Sequence, residues 1–293
     1  MIKLDFEIPL VDGLRVIASG DPESPLLDRF MQGYDRAFVL PNEREEREGF
    51  VACLEMNGKD NASDAGKFIE LVSVFENQDG ELVAGANFLL SVSDANPDFA
   101  CISLNYAFVE KEFRGKGIAR VIFAKIRELC NQFMQNSRLK YLFFFEHNDP
   151  LKMSREEYEI DSSHSGIDQL DRLKMSSRLG GRIIDFPYVQ PSLSEDKEPD
   201  DTLIYVILGD VEDSIDSNLL NFQLRSFFGI SVLKGSDISL CSVSQSQLDF
   251  VSERETVSLL RMDTAIDRAR SLNFSADFSS FRDFARSVVT SEV

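Results

Sequence analysis

The sequence predicts an α+β fold over residues 1–210, a mixed sheet with helices interspersed, followed by a mainly helical region over 211–293. Three observations carry this. Short β-branched and aromatic runs alternate with helix-spaced segments in the order β-α-α-β-β-β-α-β-α-β-β up to Leu208. Hydrophobic residues make up 43% of the 293, ample for one large domain or two modest ones. Beyond Gly209 serine becomes frequent, and apolar residues return at helical spacing around 219–228, 247–260 and 265–272.

Residues 14–18 read as a short strand. Residues 25–38 read as a helix, with Ser24 as N-cap before Pro25 at the first helical position. Asn42 caps a second helix over 43–56, in which Glu43/Arg47 and Arg44/Glu48 stand four apart as opposite-charge pairs on a solvated face. Residues 57–66 are a polar loop. Residues 68–76 and 82–92 form an antiparallel hairpin across 77–80, and 101–109 is the next strand. Ile118, Ile122, Ile126, Leu129 and Phe133 then follow at steps of 4, 4, 3 and 4, one face of a helix running to about Met134. Residues 139–145 are an apolar run short enough for a buried strand. Ser154 and Glu157 make a capping box for one short helical turn. Residues 166–179 are helical and end at Gly180-Gly181. Residues 182–189 and 202–208 are strands separated by the polar loop 191–199.

With 31 basic and 50 acidic residues the formal charge is −19, of which −15 falls on residues 1–210. Such a surface disfavours nucleic acid and anionic membrane, both of which need Lys and Arg to neutralise phosphates, and it suits a cationic or amine-bearing partner. The four cysteines (Cys53, Cys101, Cys130, Cys241) are far apart and read as reduced thiols. Two histidines, His147 and His164, argue against a His-rich metal site, so no metal is expected. The start lacks the apolar stretch of a signal peptide, and no apolar run is long enough for a bilayer. A cytoplasmic globular protein is expected.

The segment that carries chemistry is Ala107-Phe108-Val109-Glu110-Lys111-Glu112-Phe113-Arg114-Gly115-Lys116-Gly117-Ile118-Ala119-Arg120. A strand runs into a glycine-containing turn that opens a helix. The first N–H groups of a helix lack intrahelical partners and carry the positive end of its dipole. Glycines at 115 and 117 remove the Cβ atoms that would hold a pyrophosphate off the backbone. Arg114, Lys116 and Arg120 add positive side chains. A Walker loop would need Lys-Ser/Thr after the second glycine, where Ile118-Ala119 stands; a dinucleotide fingerprint would need glycine at Arg120.

What matches is Arg-x-x-Gly-x-Ala at Arg114, Gly117 and Ala119, after the strand ending in Val109. This resembles motif A of the GNAT superfamily of acyl-CoA-dependent N-acyltransferases. The element order over 14–208 is similar to the GNAT order, a mixed, mostly antiparallel central sheet flanked by helices. Asn148 and Gly180 resemble the Asn and Gly of its second half. The resemblance implies that backbone groups of Ala107, Phe108 and Val109 pair with the pantetheine arm of acetyl-CoA. It further implies that the amides of Gly115, Lys116, Gly117, Ile118, Ala119 and Arg120 hold the pyrophosphate, with Asn148 bonding the cofactor.

An attacking amine has a pKa near 10, so presenting it neutral at pH 7 costs about 4 kcal/mol unless a base takes its proton. Glu146 closes the strand after Phe143, Phe144 and Phe145, and that apolar run-in would raise its pKa; it is the expected base. The resemblance places a proton-donating Tyr four residues before Gly180, where this chain has Ser176. The acid therefore stays open among Tyr158, Tyr188 and a water, with His147 and His164 also at hand. Glu156, Glu157, Glu159 and Asp161 form either a carboxylate wall that attracts a cationic amine or a solvated loop. The expected activity is acetyl transfer from acetyl-CoA to a small-molecule or peptide amine; the alternative is an acyl-CoA-sensing or partner-binding module without turnover. The apolar stripe at Leu219, Leu220, Phe222, Leu224, Phe227 and Phe228 needs a cover, and packing against residues 1–210 on the acceptor side is expected.

Overall fold

A computed structural model of the protein describes residues 4–11, 13–40, 43–59, 66–194, 197–271 and 278–290. Packing divides the chain into two compact units: residues 1–141 with 226–236, and residues 142–225 with 237–293. Composition divides it instead at 210.

In the first unit, strands β1 (Asp5–Val11), β2 (Leu14–Ser19), β3 (Lys67–Glu76), β4 (Leu82–Val92) and β5 (Phe99–Val109) lie side by side in chain order, all antiparallel. β1 is an edge strand that the sequence left unassigned: Phe6 and Ile8 point inward, but Pro9 interrupts the run. Helices α1 (Pro25–Ala37) and α2 (Arg47–Leu54) cover one face through Leu27, Phe30, Tyr34, Phe50 and Leu54 on Val72, Val74, Leu82 and Phe108. The face bearing Phe6, opposite that of Ile17, meets α3 (Ile118–Met134), where Phe6 lies edge-on to Phe133 at 6.2 Å. Ser24 caps α1 as expected, accepting from the Leu26 amide at 3.3 Å.

Close approach of α1 to the sheet depends on glycine. A Cβ at Gly33 would stand 2.1 Å from the Phe108 ring, and one at Gly85 would stand 2.5 Å from it. The ring fills the hollow that both leave.

α2 starts at Arg47, not at Glu43, and Asn42 lies outside the described residues. The expected i,i+4 pairs do not form, because tertiary partners take the charges. Arg47 reaches Asp28 at 2.9 Å, Arg44 reaches Asp35 at 2.6 Å, and the Glu45 amide donates to the Tyr34 hydroxyl at 2.6 Å. Buried Glu45 pairs with Lys234 at 2.7 Å.

β4 and β5 slip register by one residue: Asn87 faces Tyr106 while Phe88 faces Leu104, which leaves Asn105 as a bulge. The π-helical segment Phe227–Val232 packs onto the same unit, with Ile230 against Met56 and Leu89 and the Cys53 thiol donating to the Ser231 carbonyl at 3.3 Å.

The strands of the second unit pair antiparallel as well. Strand β6 (Lys140–Asn148) pairs with β8 (Leu203–Leu208), β8 with β7 (Arg182–Ile184), β7 with β10 (Thr256–Leu260), and β10 with β9 (Ser214–Asp216). Helices α4 (Arg155–Ser165), α5 (Gln169–Arg178), α6 (Ser217–Ser226), α7 (Ser242–Ser252), α8 (Asp263–Ser271) and α9 (Phe281–Thr290) complete it. The capping box at Ser154/Glu157 opens a full helix of 11 residues, ended by Gly166 at φ 67°, so the next helix waits for its own cap at Asp168. β7 stops at Ile184, because Pro187 has no amide to donate and the chain turns off the ladder. Residues 211–293 are helical for the most part, yet β9 and β10 extend the sheet. No described helix is long and apolar enough to cross a membrane.

Candidate functional site

The sequence-predicted anion loop lies in the first unit. β5 ends at Val109, a 3-10 turn spans Lys111–Phe113, and α3 begins at Ile118. Gly115 and Gly117 have φ of 73° and 78°, the left-handed region that side chains with a Cβ seldom adopt. A Cβ at either would meet nothing within 4 Å. The hollow beside the backbone is therefore open, and glycine keeps it so. Gly117 is the N-cap of α3 and supplies no side-chain cap to the leading amides of this 17-residue helix, of which the Arg120 amide donates instead to the Gly117 carbonyl at 3.1 Å. Gly115, Lys116, Gly117 and Arg120 are exposed, while Ile118 and Ala119 are half-buried. Lys116 lies 5.1 Å over the Phe113 ring, and Arg114 Nε donates to the Val109 carbonyl at 2.9 Å, bracing the turn. Ala107, Phe108 and Val109 pair with β4 through Ala86, Gly85 and Ala84; the Phe108 ring is core.

Glu146 and Asn148 lie on β6 in the second unit, with Glu146 directly opposite Tyr205 of β8. The Glu146 carboxylate accepts from the Tyr188 hydroxyl at Oε1 and from Gln190 Nε2 at Oε2, the latter at 3.0 Å. Crowding by protein atoms raises its pKa from 4.5 to about 7; the charge of Asp200 adds to this, and the two hydrogen bonds oppose it. Part of the residue's surface remains open. Tyr188 stacks on Tyr205 at 4.4 Å and 12°, and the Tyr205 hydroxyl accepts from Gln223 at 2.7 Å. Burial, and then the Glu146 charge, pushes the Tyr188 phenol well up. A carboxyl poised near 7 and joined to a phenol can accept and hand on a proton.

Ser176 is buried and within 2.6 Å of His147 Nε2. Burial first, then the Arg172 charge, lowers His147 to about 3, so a neutral imidazole shares this hydrogen bond with the serine hydroxyl. Tyr158 donates to Asp168 at 2.6 Å, at the cap of α5. Of the carboxylates expected as an acceptor wall, Glu157 closes its capping box, Glu159 pairs with Arg155 at 2.9 Å, and buried Asp161 is held by Arg172 at 2.7 Å. Among the described residues no group of three or more His, Cys, Asp or Glu is placed to hold a metal.

Sequence reasoning missed Glu70, Asn87 and Asn105. Glu70 is fully buried on β3 and accepts from Asn87 at 2.6 Å and Asn105 at 3.0 Å on Oε1, and from Ser231 at 3.0 Å on Oε2. Burial raises it from 4.5 to about 7 against these bonds. A carboxylate in phase with Phe68, Val72 and Val74, in the middle of the strand where that face is otherwise apolar, was the available signal.

No protein-family model and no curated protein sequence matches the chain. Solved structures do. The ribosomal-protein-S18-alanine N-acetyltransferase of Escherichia coli is 14% identical, with 67% of this chain and 95% of that one covered at a TM-score of 0.37. A point mutant of the spermidine N-acetyltransferase of Vibrio cholerae is 12% identical, with 68% and 95% covered at 0.36. An acetyltransferase of the GNAT family from Streptococcus pneumoniae is 7% identical, with 67% and 98% covered at 0.36. These three solved structures are acetyltransferases, one of them of the GNAT family.

Proposed function

We propose that the chain is an acyl-CoA-dependent N-acyltransferase, most simply an acetyltransferase, acting on an amine. The observation that carries this is the uncapped N-terminus of α3 behind two left-handed glycines, with open space where their Cβ atoms would stand. The amides of Gly115 to Ala119, with the charges of Arg114, Lys116 and Arg120, would hold the pyrophosphate, Arg120 through its side chain because its amide is spent on the Gly117 carbonyl; Ala107 to Val109 and Asn148 would align the arm.

In the transfer, the amine nitrogen attacks the thioester carbonyl carbon, a C–N bond forms, the C–S bond breaks, and CoA leaves as thiolate. Glu146 takes the proton the amine loses, and a proton returns to the sulfur. Ser176 and Tyr158 are occupied by His147 and Asp168, whereas Tyr188 is joined to the base itself, which favours it as the proton's route. The charge of −15 on residues 1–210 favours a cationic acceptor.

Gly117→Asn tests the reading. Asn tolerates the left-handed conformation yet puts a Cβ into the hollow. Calorimetry should show acetyl-CoA affinity falling at least about tenfold with the fold intact; unchanged affinity would remove the proposal. A second reading, an acyl-CoA-binding module without turnover, is favoured by the Ser176–His147 bond at the expected acid position. It predicts binding of acetyl-CoA with no thiol released for any amine.

A further inference from the structure

The Glu70 cluster lies within the first unit and is left unused by the proposed chemistry. Its hydrogen-bond accounting is nearly closed. Asn87 spends both amide hydrogens, on Glu70 Oε1 at 2.6 Å and the Leu71 carbonyl at 3.1 Å. Asn105 spends both of its own, on Glu70 Oε1 at 3.0 Å and Asn87 Oδ1 at 3.1 Å. Ser231 donates to Glu70 Oε2 at 3.0 Å. These contacts fix the orientation of the Asn105 amide, since its nitrogen faces two acceptors. Its Oδ1 is buried and has no partner. Every hydrogen on the three side chains is committed, so the capacity that remains is acceptor capacity. A ligand that completes the cluster must bring N–H or O–H.

Two further facts narrow its chemistry. Glu70 is fully buried and makes no ion pair among the described residues, although a buried carboxylate ordinarily has a cation or titrates. An amide that donates to a carboxylate is polarised, which strengthens its own oxygen as an acceptor. Asn105 also stands at the bulge of β5, where it has no cross-strand partner on β4 and keeps part of its surface open. A ligand arriving at the bulge meets the amide, with the carboxylate one hydrogen bond behind.

We propose that Asn105 Oδ1, backed by Glu70, receives an N–H of a primary ammonium group. This rests on the acyltransferase reading only for the ligand's identity as acceptor. Asn105 is then the contact residue that selects a charged amine, and Glu70 acts through it as a positioning residue.

The test is calorimetry of the full chain with 1,4-diaminobutane, with a tetrapeptide bearing a free amino terminus, and with tetramethylammonium, which has the charge but no N–H. The wild type should bind one of the first two, which tells a small polyamine from a protein N-terminus, and should not bind tetramethylammonium. Asn105→Ala and Glu70→Gln should each weaken amine binding by at least about tenfold while unfolding midpoints stay near wild type. The glutamine introduced by Glu70→Gln keeps an oxygen for Asn87 and Asn105 but offers Ser231 an amide nitrogen, which donates. Ser231→Ala, which removes that bond and keeps the charge, is therefore the control that assigns a loss to charge. Absence of amine binding in the wild type, equal binding of tetramethylammonium, or unchanged affinity in both variants would overturn the proposal. Acetyl-CoA binding is measured alongside: its failure with amine binding intact would remove the acyltransferase reading and leave this subsite standing.

Discussion

Two carboxylates, Glu70 and Glu146, are each raised to about 7, mainly by burial, and their folded state prefers the proton. The sign for stability follows directly. Between the ordinary value of 4.5 and about 7 the native state binds protons that the unfolded chain has released, so stability is fully present below 4.5 and is lost as pH rises through about 7. Glu70→Gln should therefore flatten the decline in urea midpoint between pH 5 and pH 8, and at pH 8 it should be at least as stable as wild type. A steeper decline than wild type would show that an unseen cation stabilises the carboxylate. Glu146→Gln separates chemistry from stability. If Glu146 takes the amine proton, turnover near neutral pH should fall about 10²–10⁴-fold and recover in part at higher pH, where the amine sheds its proton unaided; wild-type turnover would assign Glu146 to structure. Glu146 stood out in the sequence because it follows an apolar run, although β6 does not end there and continues to Asn148. Asn105 was not, because a bulge leaves no mark in a strand's composition.

At the scale of elements, periodicity placed the strands Leu82–Val92 and Lys67–Glu76 and the helix Ile118–Met134, since each buries a regular face. It failed where local signals compete with tertiary partners. Arg47 at the start of α2 pairs with Asp28, and Arg44 and Glu45 just before it pair with Asp35 and Lys234, so the helix starts a turn late. Gly166 ends α4, whereas the sequence places the start of the next helix at that residue. The fit of α1 on the sheet was also invisible, because a glycine in a helix reads only as a weak point. Gly33→Ala tests it: a methyl 2.1 Å from the Phe108 ring forces the helix outward and should cost about 1–3 kcal/mol in urea unfolding. Helix propensity alone would predict a gain of up to about 1 kcal/mol, so even the sign decides the matter.

At the scale of the whole molecule, the chain leaves its first unit at residue 141 and returns to it for residues 226–236. The sequence announced this only as an apolar stripe. A stripe has a period but no address: its members Leu219, Leu220 and Leu224 are buried in α6, and just beyond it Ile230 packs on Met56 and Leu89 and Ser231 bonds to Glu70. The returning segment thus supplies both apolar contact and a hydrogen bond to a buried carboxylate, and removing one should loosen its surroundings before the rest. Ile230→Ala, at a site 1% exposed, should cost about 2–4 kcal/mol. Hydrogen exchange gives the sharper readout. Amides of β3, β4 and α2, which surround Ile230 and Ser231, should lose protection, while those of β7, β8 and β10 should keep theirs if the second unit opens on its own. Equal loss in both sets would mean that the two units unfold as one, and the variant would then report global stability and not the local hold of residues 226–236.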